Sequence, residues 1–112
     1  MKQGEIWIVN LDPIIGAEIQ KSRPCLIVND DSVGILPLKI IAPISEYKEK
    51  FKDVPWMVTL MPDNEYGLDK KSIVDLFQVR WVAEKRLVKR IGVIGSDNVL
   101  NVKAALKVVF GY

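Results

Sequence analysis

Apolar positions along the chain fall in short, dense runs broken by polar punctuation. Most runs are rich in β-branched and aromatic residues, which favours strands over helices. Glu5 to Leu11 (EIWIVNL) predicts a strand buried on much of both faces, ended by Asp12-Pro13. Ile14 to Ser22 is largely polar with no sustained period and predicts a long hairpin loop into a second strand, Pro24 to Asn29. NDDSVG, from Asn29, is a turn by composition. Leu38 to Ser45 (LKIIAPIS) predicts a third strand, whose Pro43 points to an edge, a bulge or a bend rather than a central ladder position. After a charged surface loop, Tyr47 to Asp53, a fourth strand covers Trp56 to Met61 and a turn Pro62 to Gly67. Ser72 to Ala83 (SIVDLFQVRWVA) reads as one fifth strand. The basic segment EKRLVKR reads as a solvated connection or an RNA track, with a short strand at Gly92 to Gly95 after it.

Only the end has a helical period. From Ser96, Val99, Val102, Leu106 and Val109 or Phe110 recur at three- and four-residue steps. Ser96 suits an N-cap, Asp97 the positive end of the dipole, and Gly111 a position past the last turn. These elements predict a mainly β fold: a small, strongly bent barrel of five to six strands with a C-terminal α-helix. No linker or repeat divides the chain, so residues 1–112 form one domain.

Composition narrows the chemistry. The 112 residues carry a net charge of +2, too small to demand nucleic acid by itself. The single cysteine, Cys25, sits among Pro24, Leu26, Ile27 and Val28, which fits a small buried hydrophobe in a reducing compartment better than a nucleophile. There is no histidine, no GxxxxGK[ST], no GxGxxG and no CxxC, which removes P-loop, dinucleotide, zinc and His-dependent hydrolase chemistry. Asp30-Asp31 is far more often a solvated turn than a metal site. No apolar run approaches the ~20 residues of a membrane span, and MKQGEIWIVN lacks the apolar segment of a signal peptide, so a cytoplasmic location is expected.

What remains is Arg23, Ser45 and Glu18. Arg23 precedes Pro24, which biases it towards an extended backbone, and its planar fork of donors suits phosphate. If strands two and three are antiparallel neighbours, the start of one lies near the end of the other, so Arg23 and Ser45 can share a face. RNA brings its own nucleophile, the 2′-OH. An enzyme that cleaves it therefore needs in-line positioning, charge stabilisation and proton transfer. Arg23 would neutralise the phosphoryl oxygens and Ser45 would donate a hydrogen bond. The general base stays open between Glu18 and Arg23 itself. On composition alone, an exposed strand-end charge, a turn serine and a solvated loop acid are the commoner roles for these three residues.

The line GEIWIVNLDPIIGAEIQKSRPCLIVND, from Gly4, resembles the opening of the MazF/PemK family of toxin endoribonucleases. Gly4, Leu11, Pro13, Gly16, Glu18, Arg23 and Pro24 fall where that family's pattern places them. Downstream, IIAPIS is similar to its strand ending in P-[IL]-[TS], and SIVDLFQVRWVAEKRL to its S-x-[IVA]-x-x-x-Q-[IV]-R segment. The resemblance implies an SH3-like barrel and a homodimer. It implies cofactor-free, metal-independent cutting of single-stranded RNA to 2′,3′-cyclic phosphate and 5′-hydroxyl ends, and a cognate antitoxin as protein partner. By resemblance Arg23 is the catalytic arginine, Ser45 stands at the catalytic hydroxyl, and Glu18 and Gln78 fall at positions expected to line the RNA groove or its gating loop. Ser45 departs from the commoner Thr, and Trp81 and Ala83 from the commoner Thr and Asp.

Among basic and aromatic residues, Lys21, Lys48, Lys50, Lys52, Arg80, Lys85 and Arg86 are candidates to track a phosphate backbone, and Trp56 or Phe51 to stack a base. Two other readings compete: a non-catalytic toxin of the same barrel that binds and poisons a topoisomerase, and a barrel that only binds RNA or a partner.

Overall fold

The computed structural model describes residues 1–11, 22–34 and 36–112. Seven strands, β1 (Glu5–Asn10), β2 (Ser22–Ile27), β3 (Leu38–Glu46), β4 (Met57–Leu60), β5 (Ser72–Asp75), β6 (Arg80–Ala83) and β7 (Leu87–Val93), precede one helix, α1 (Ser96–Phe110). The fold is mainly β with a C-terminal helix, as the pattern predicts. All strand pairs are antiparallel, in the order β4-β5-β3-β2-β1-β7, with β6 on β3. No described pairing joins β4 to β7, so the bent sheet is not closed by hydrogen bonds.

β3 sits at the centre. On one side it pairs with β2 through Cys25↔Pro43, Leu26↔Ala42 and Ile27↔Ile41. On the other it pairs first with β6, ending at Ile41↔Arg80, and then with β5, beginning at Ile44↔Val74. Pro43 stands where β3 leaves one partner for the other. A residue without an N–H is tolerated there because no ladder bond is needed. The expectation of an edge, bulge or bend is corrected: Pro43 holds a ladder position opposite Cys25 in an uninterrupted central strand, and its missing N–H falls between the last β6 pair and the first β5 pair.

The same handover breaks the predicted fifth strand. Ser72 to Ala83 is two strands separated by a 3₁₀ turn, Leu76–Gln78, which takes up the residues left over between the two registers. Leu76 anchors that turn in the core, and the Asp75 carboxylate accepts a hydrogen bond from the Phe77 N–H at 3.0 Å. EKRLVKR also differs from expectation, because only Glu84–Arg86 is a connecting 3₁₀ turn and Leu87–Val93 is an edge strand on β1. Lys89 and Arg90 sit on its exposed positions, which masks the strand in a hydropathy reading. β2 starts before the proline, so Arg23 lies within the strand, across from Val9.

Period-two alternation divides the core in two. Ile6, Leu26, Val28, Ala42 and Ile44 pack with Val58, Leu60, Val74, Leu76, Ile94, Val102 and Ala105 beneath α1. Val9, Cys25, Ile27, Ile41, Val82 and Leu87 form a second cluster with Trp7 and Leu11. In α1 the cap is Gly95 rather than Ser96, which is the first helical residue; the Val99 N–H donates to the Gly95 carbonyl at 3.1 Å. Gly95 holds an extended backbone without a side chain, which an N-cap accepts. Gly111 closes the helix in the left-handed region, its N–H donating to the Lys107 carbonyl at 2.8 Å.

The turn before β5 crosses β7 closely. The Val93 N–H donates to the Glu65 carbonyl at 2.9 Å, and a Cβ on Gly92 would stand 2.2 Å from the Tyr66 carbonyl carbon. Gly92→Ala must push two backbones apart. Its expected cost is about 3 kcal/mol, read as a fall in the denaturant midpoint at constant m-value.

Glu5 ties β1 to its neighbours: its carboxylate accepts from the Trp7 indole N–H at 2.9 Å and the Lys2 N–H at 3.0 Å, and lies 3.3 Å from Arg90 Nε. Burial raises its pKa, and these hydrogen bonds and cations more than reverse that, leaving the carboxyl below its ordinary 4.5. A carboxyl more acidic folded than unfolded contributes fully above the unfolded value and loses its contribution as pH falls through the folded one. Wild-type stability should therefore drop on acidification below about pH 4.5, and Glu5→Gln should be less stable at pH 7 with a flatter acid limb, measured by urea unfolding across pH.

Candidate active site

Sequence parity places one set of polar side chains on the face of the second core cluster. On β2, Cys25 and Ile27 belong to that cluster and Leu26 to the other, so Arg23 projects on the Cys25 side, exposed at the rim. On β3, Ile41 belongs to the second cluster and Ala42 and Ile44 to the first, so Pro43 and Ser45 face the same way as Arg23. The β2–β3 pairing ends at Cys25↔Pro43, so Arg23 and Ser45 each lie two residues beyond the last paired position on the same face, Arg23 paired with Val9 and Ser45 with Ile73. β6 brings Arg80 opposite Ile41, with Val82 in the cluster beneath it. β5 adds Ile73 opposite Ser45 and, two residues on, Asp75 on the same face.

Electrostatics report the same convergence. Burial pushes the Cys25 thiol up to about 12, against the opposing pull of Arg23 and Arg80, both near enough to act on it. Among the described residues neither guanidinium has a carboxylate or hydrogen-bond partner. Two unpaired cations and a half-buried hydroxyl above an apolar floor suit an anionic oxygen ligand, since the floor lowers the local dielectric. Arg86 is committed differently: its Nη1 donates to the Asn10 carbonyl at 3.2 Å, while Arg80, Lys85 and Arg86 line a groove of about 470 Å³.

Beside Ser45, the 3₁₀ turn packs against β3. The Asp75 carboxylate is buried and accepts from Gln78 Nε2 at 2.7 Å as well as from the Phe77 N–H. Phe77 is 70% exposed and pairs with Trp56, ring centroids 6.1 Å apart and planes inclined at 58°. The two expose apolar faces beside the polar cluster. Phe51, the alternative stacking residue, is half-buried with the Lys50 ammonium 5.4 Å from its ring centroid.

Of the residues singled out in the sequence, Arg23, Ser45, Gln78 and Arg80 thus share one face, with Trp56 reaching it through Phe77. Glu18 and Lys21 lie outside the described residues. Asp30 and Asp31 serve their turn: Asp30 accepts from the Ser32 N–H at 3.0 Å and from the Ser32 hydroxyl, and Asp31 from the Gln3 N–H at 2.7 Å. Sequence reasoning missed Asp75 and Phe77. The available signal was an aspartate inside SIVDLF, where a strand buried on both faces has no use for an unpaired acid.

A central β3 shared among partner strands, a helix packed over one core cluster and a cationic rim over the other define a small, mainly β fold with a terminal helix. The profile of the PemK-like, MazF-like toxins of type II toxin-antitoxin systems matches residues 2–110, and the chain belongs to that family. Endoribonuclease MazF of Staphylococcus epidermidis is 30% identical over 112 residues, covering 99% of this chain and 92% of that protein. Among solved structures, a mycobacterial endoribonuclease in complex with its cognate antitoxin superposes with a TM-score of 0.78 at 15% identity, covering 99% of this chain and 95% of that one. MazF in a MazE-MazF crystal form from Deinococcus radiodurans gives 0.77 at 22% identity, covering 99% and 96%. These structural likenesses establish the fold.

With its thiol pushed up to about 12, Cys25 should resist iodoacetamide at pH 8 in the native protein and react fully in 6 M guanidinium, read by intact mass; on the order of 10⁻⁴ of it is thiolate at that pH.

Proposed function

We propose that the chain is the toxin of a type II toxin-antitoxin system and acts as a metal-independent endoribonuclease on single-stranded RNA in the cytoplasm. The observation that carries this reading is that Arg23, with no ion-pair or hydrogen-bond partner among the described residues, shares a face with Ser45, within a family of toxins that includes a relative named as an endoribonuclease. In the reaction, the substrate's 2′-oxygen attacks the adjacent phosphorus, the P–O5′ bond breaks, and the products carry a 2′,3′-cyclic phosphate and a 5′-hydroxyl. Arg23 neutralises the non-bridging oxygens as negative charge builds in the pentacovalent transition state. Ser45 donates a hydrogen bond to one of these oxygens or to the leaving O5′. Glu18 is the candidate base that accepts the 2′-OH proton, and a proton is returned to O5′ as its bond to phosphorus breaks.

Around that centre, Lys21 and Arg80 hold flanking phosphates, Gln78 contacts a base edge, and Trp56, joined by Phe77, stacks an unpaired base. A cognate antitoxin and a second copy of the chain are the protein partners we infer. Solved relatives in complex with antitoxins support the first. Exposed Val33, Leu36, Ile40 and Trp81 around a cleft of about 530 Å³ supply apolar surface of the kind partner chains cover.

Incubation with mixed single-stranded RNA in EDTA should give discrete fragments ending in 5′-hydroxyl. Arg23→Ala should lower the rate at least ~10²-fold and Ser45→Ala about tenfold or more, both at unchanged melting temperature. Cleavage that needs Mg²⁺, or that survives Arg23→Ala, overturns the mechanism. DNA damage in expressing cells with intact RNA would instead identify the topoisomerase-binding toxin.

A further inference from the structure

Asp75 is a buried carboxylate that the cleavage chemistry leaves unused, and its surroundings are unusually specific. Both oxygens are taken by residues immediately downstream, Oδ1 by the Phe77 N–H at 3.0 Å and Oδ2 by Gln78 Nε2 at 2.7 Å. It lies on the Ser45 face, because Ile73 is paired with Ser45 and Asp75 follows two residues on. Gln78 itself is exposed and stands two residues before Arg80.

The chemistry of the pair removes an ambiguity that a carboxamide normally carries. A carboxylate only accepts, so the amide must turn its NH₂ towards Asp75 and cannot be flipped without setting two oxygens against each other. Its carbonyl oxygen is thereby left facing solvent, with no partner among the described residues.

We propose that Asp75 is a positioning residue that locks the Gln78 carboxamide with Oε1 outward, so that this site selects a nucleobase offering an N–H donor at the position Gln78 reads. The inference rests on the endoribonuclease reading and deepens it from RNA to one element of base selection. The lock matters because an amide free to rotate offers either a donor or an acceptor and so reads neither. Burial of Asp75 and the backbone bond to Phe77 hold the carboxylate still, leaving the amide no competing orientation.

The test is mapping of 5′ ends on a randomised single-stranded RNA pool with wild type, Asp75→Asn, Asp75→Asn/Gln78→Glu and Gln78→Leu. In Asp75→Asn the Asn oxygen is held by the Phe77 N–H, so its NH₂ faces Gln78 and turns the amide over, putting a donor outward. The expected result is a shift of about tenfold in relative kcat/KM at one position of the cleavage motif, towards a base presenting an acceptor, with the other positions unchanged. The double exchange restores an outward acceptor held by an inward donor and should return the wild-type preference. Gln78→Leu keeps the buried carboxylate and should flatten the same position, which covers the case in which Asp75→Asn folds poorly. An unchanged motif in Asp75→Asn and Gln78→Leu, or a uniform loss of rate with no change in preference, overturns the inference and leaves the endoribonuclease standing. Absence of cleavage by wild type overturns both.

Discussion

The structure depends on β3 being shared. One side is given wholly to β2, and the other is divided between β6 and β5, whose registers do not match. A strand that changes partners must give up ladder bonds at the change, and Pro43 stands there with no N–H to lose. The residues left over between the two registers become the 3₁₀ turn Leu76–Gln78, fixed by buried Leu76 below and by the Asp75 carboxylate at its start. The mismatch that bends the sheet thus also builds the part of the site facing Ser45.

Placing guanidinium groups over this face is inexpensive in free energy because they sit at its rim, where water still reaches them. Only the floor, Cys25, Ile41 and Val82, is fully buried. An unpaired cation would be severely penalised one residue deeper. The arrangement leaves Arg23 and Arg80 hydrated at the rim and, among the described residues, uncommitted to any carboxylate. Cys25 registers both conditions, its ionisation suppressed by the burial and partly restored by the two cations.

The side chains beside this electrostatic centre are held more rigidly than the cations at its rim. Trp56 and Phe77 brace each other as an exposed aromatic pair. Gln78 is held by a charge-assisted bond of 2.7 Å. On β6, Trp81 borders both the groove with Arg80, Lys85 and Arg86 and the apolar cleft with Leu36 and Ile40. One strand therefore borders a charged groove and an apolar cleft.

Strand character, the terminal helix, the isolation of Cys25 and the family motif around Arg23 were legible in the sequence, because each depends on local periodicity or residue chemistry. Period-two alternation even placed Arg23 and Ser45 on a common face once β2 and β3 were taken as neighbours. The break within Ser72–Ala83 was not legible: a continuous β-rich run conceals a register change imposed by a strand some thirty residues away. EKRLVKR likewise became an edge strand because β1 offered a hydrogen-bonding partner to a sequence whose charges pointed outward. Asp75 gained its partners only when the turn folded Gln78 back upon it. Sequence set which side chains each local segment can present; the pairing of β3 with several strands decided which of them meet, since register is a property of two chains segments at once and is written in neither alone.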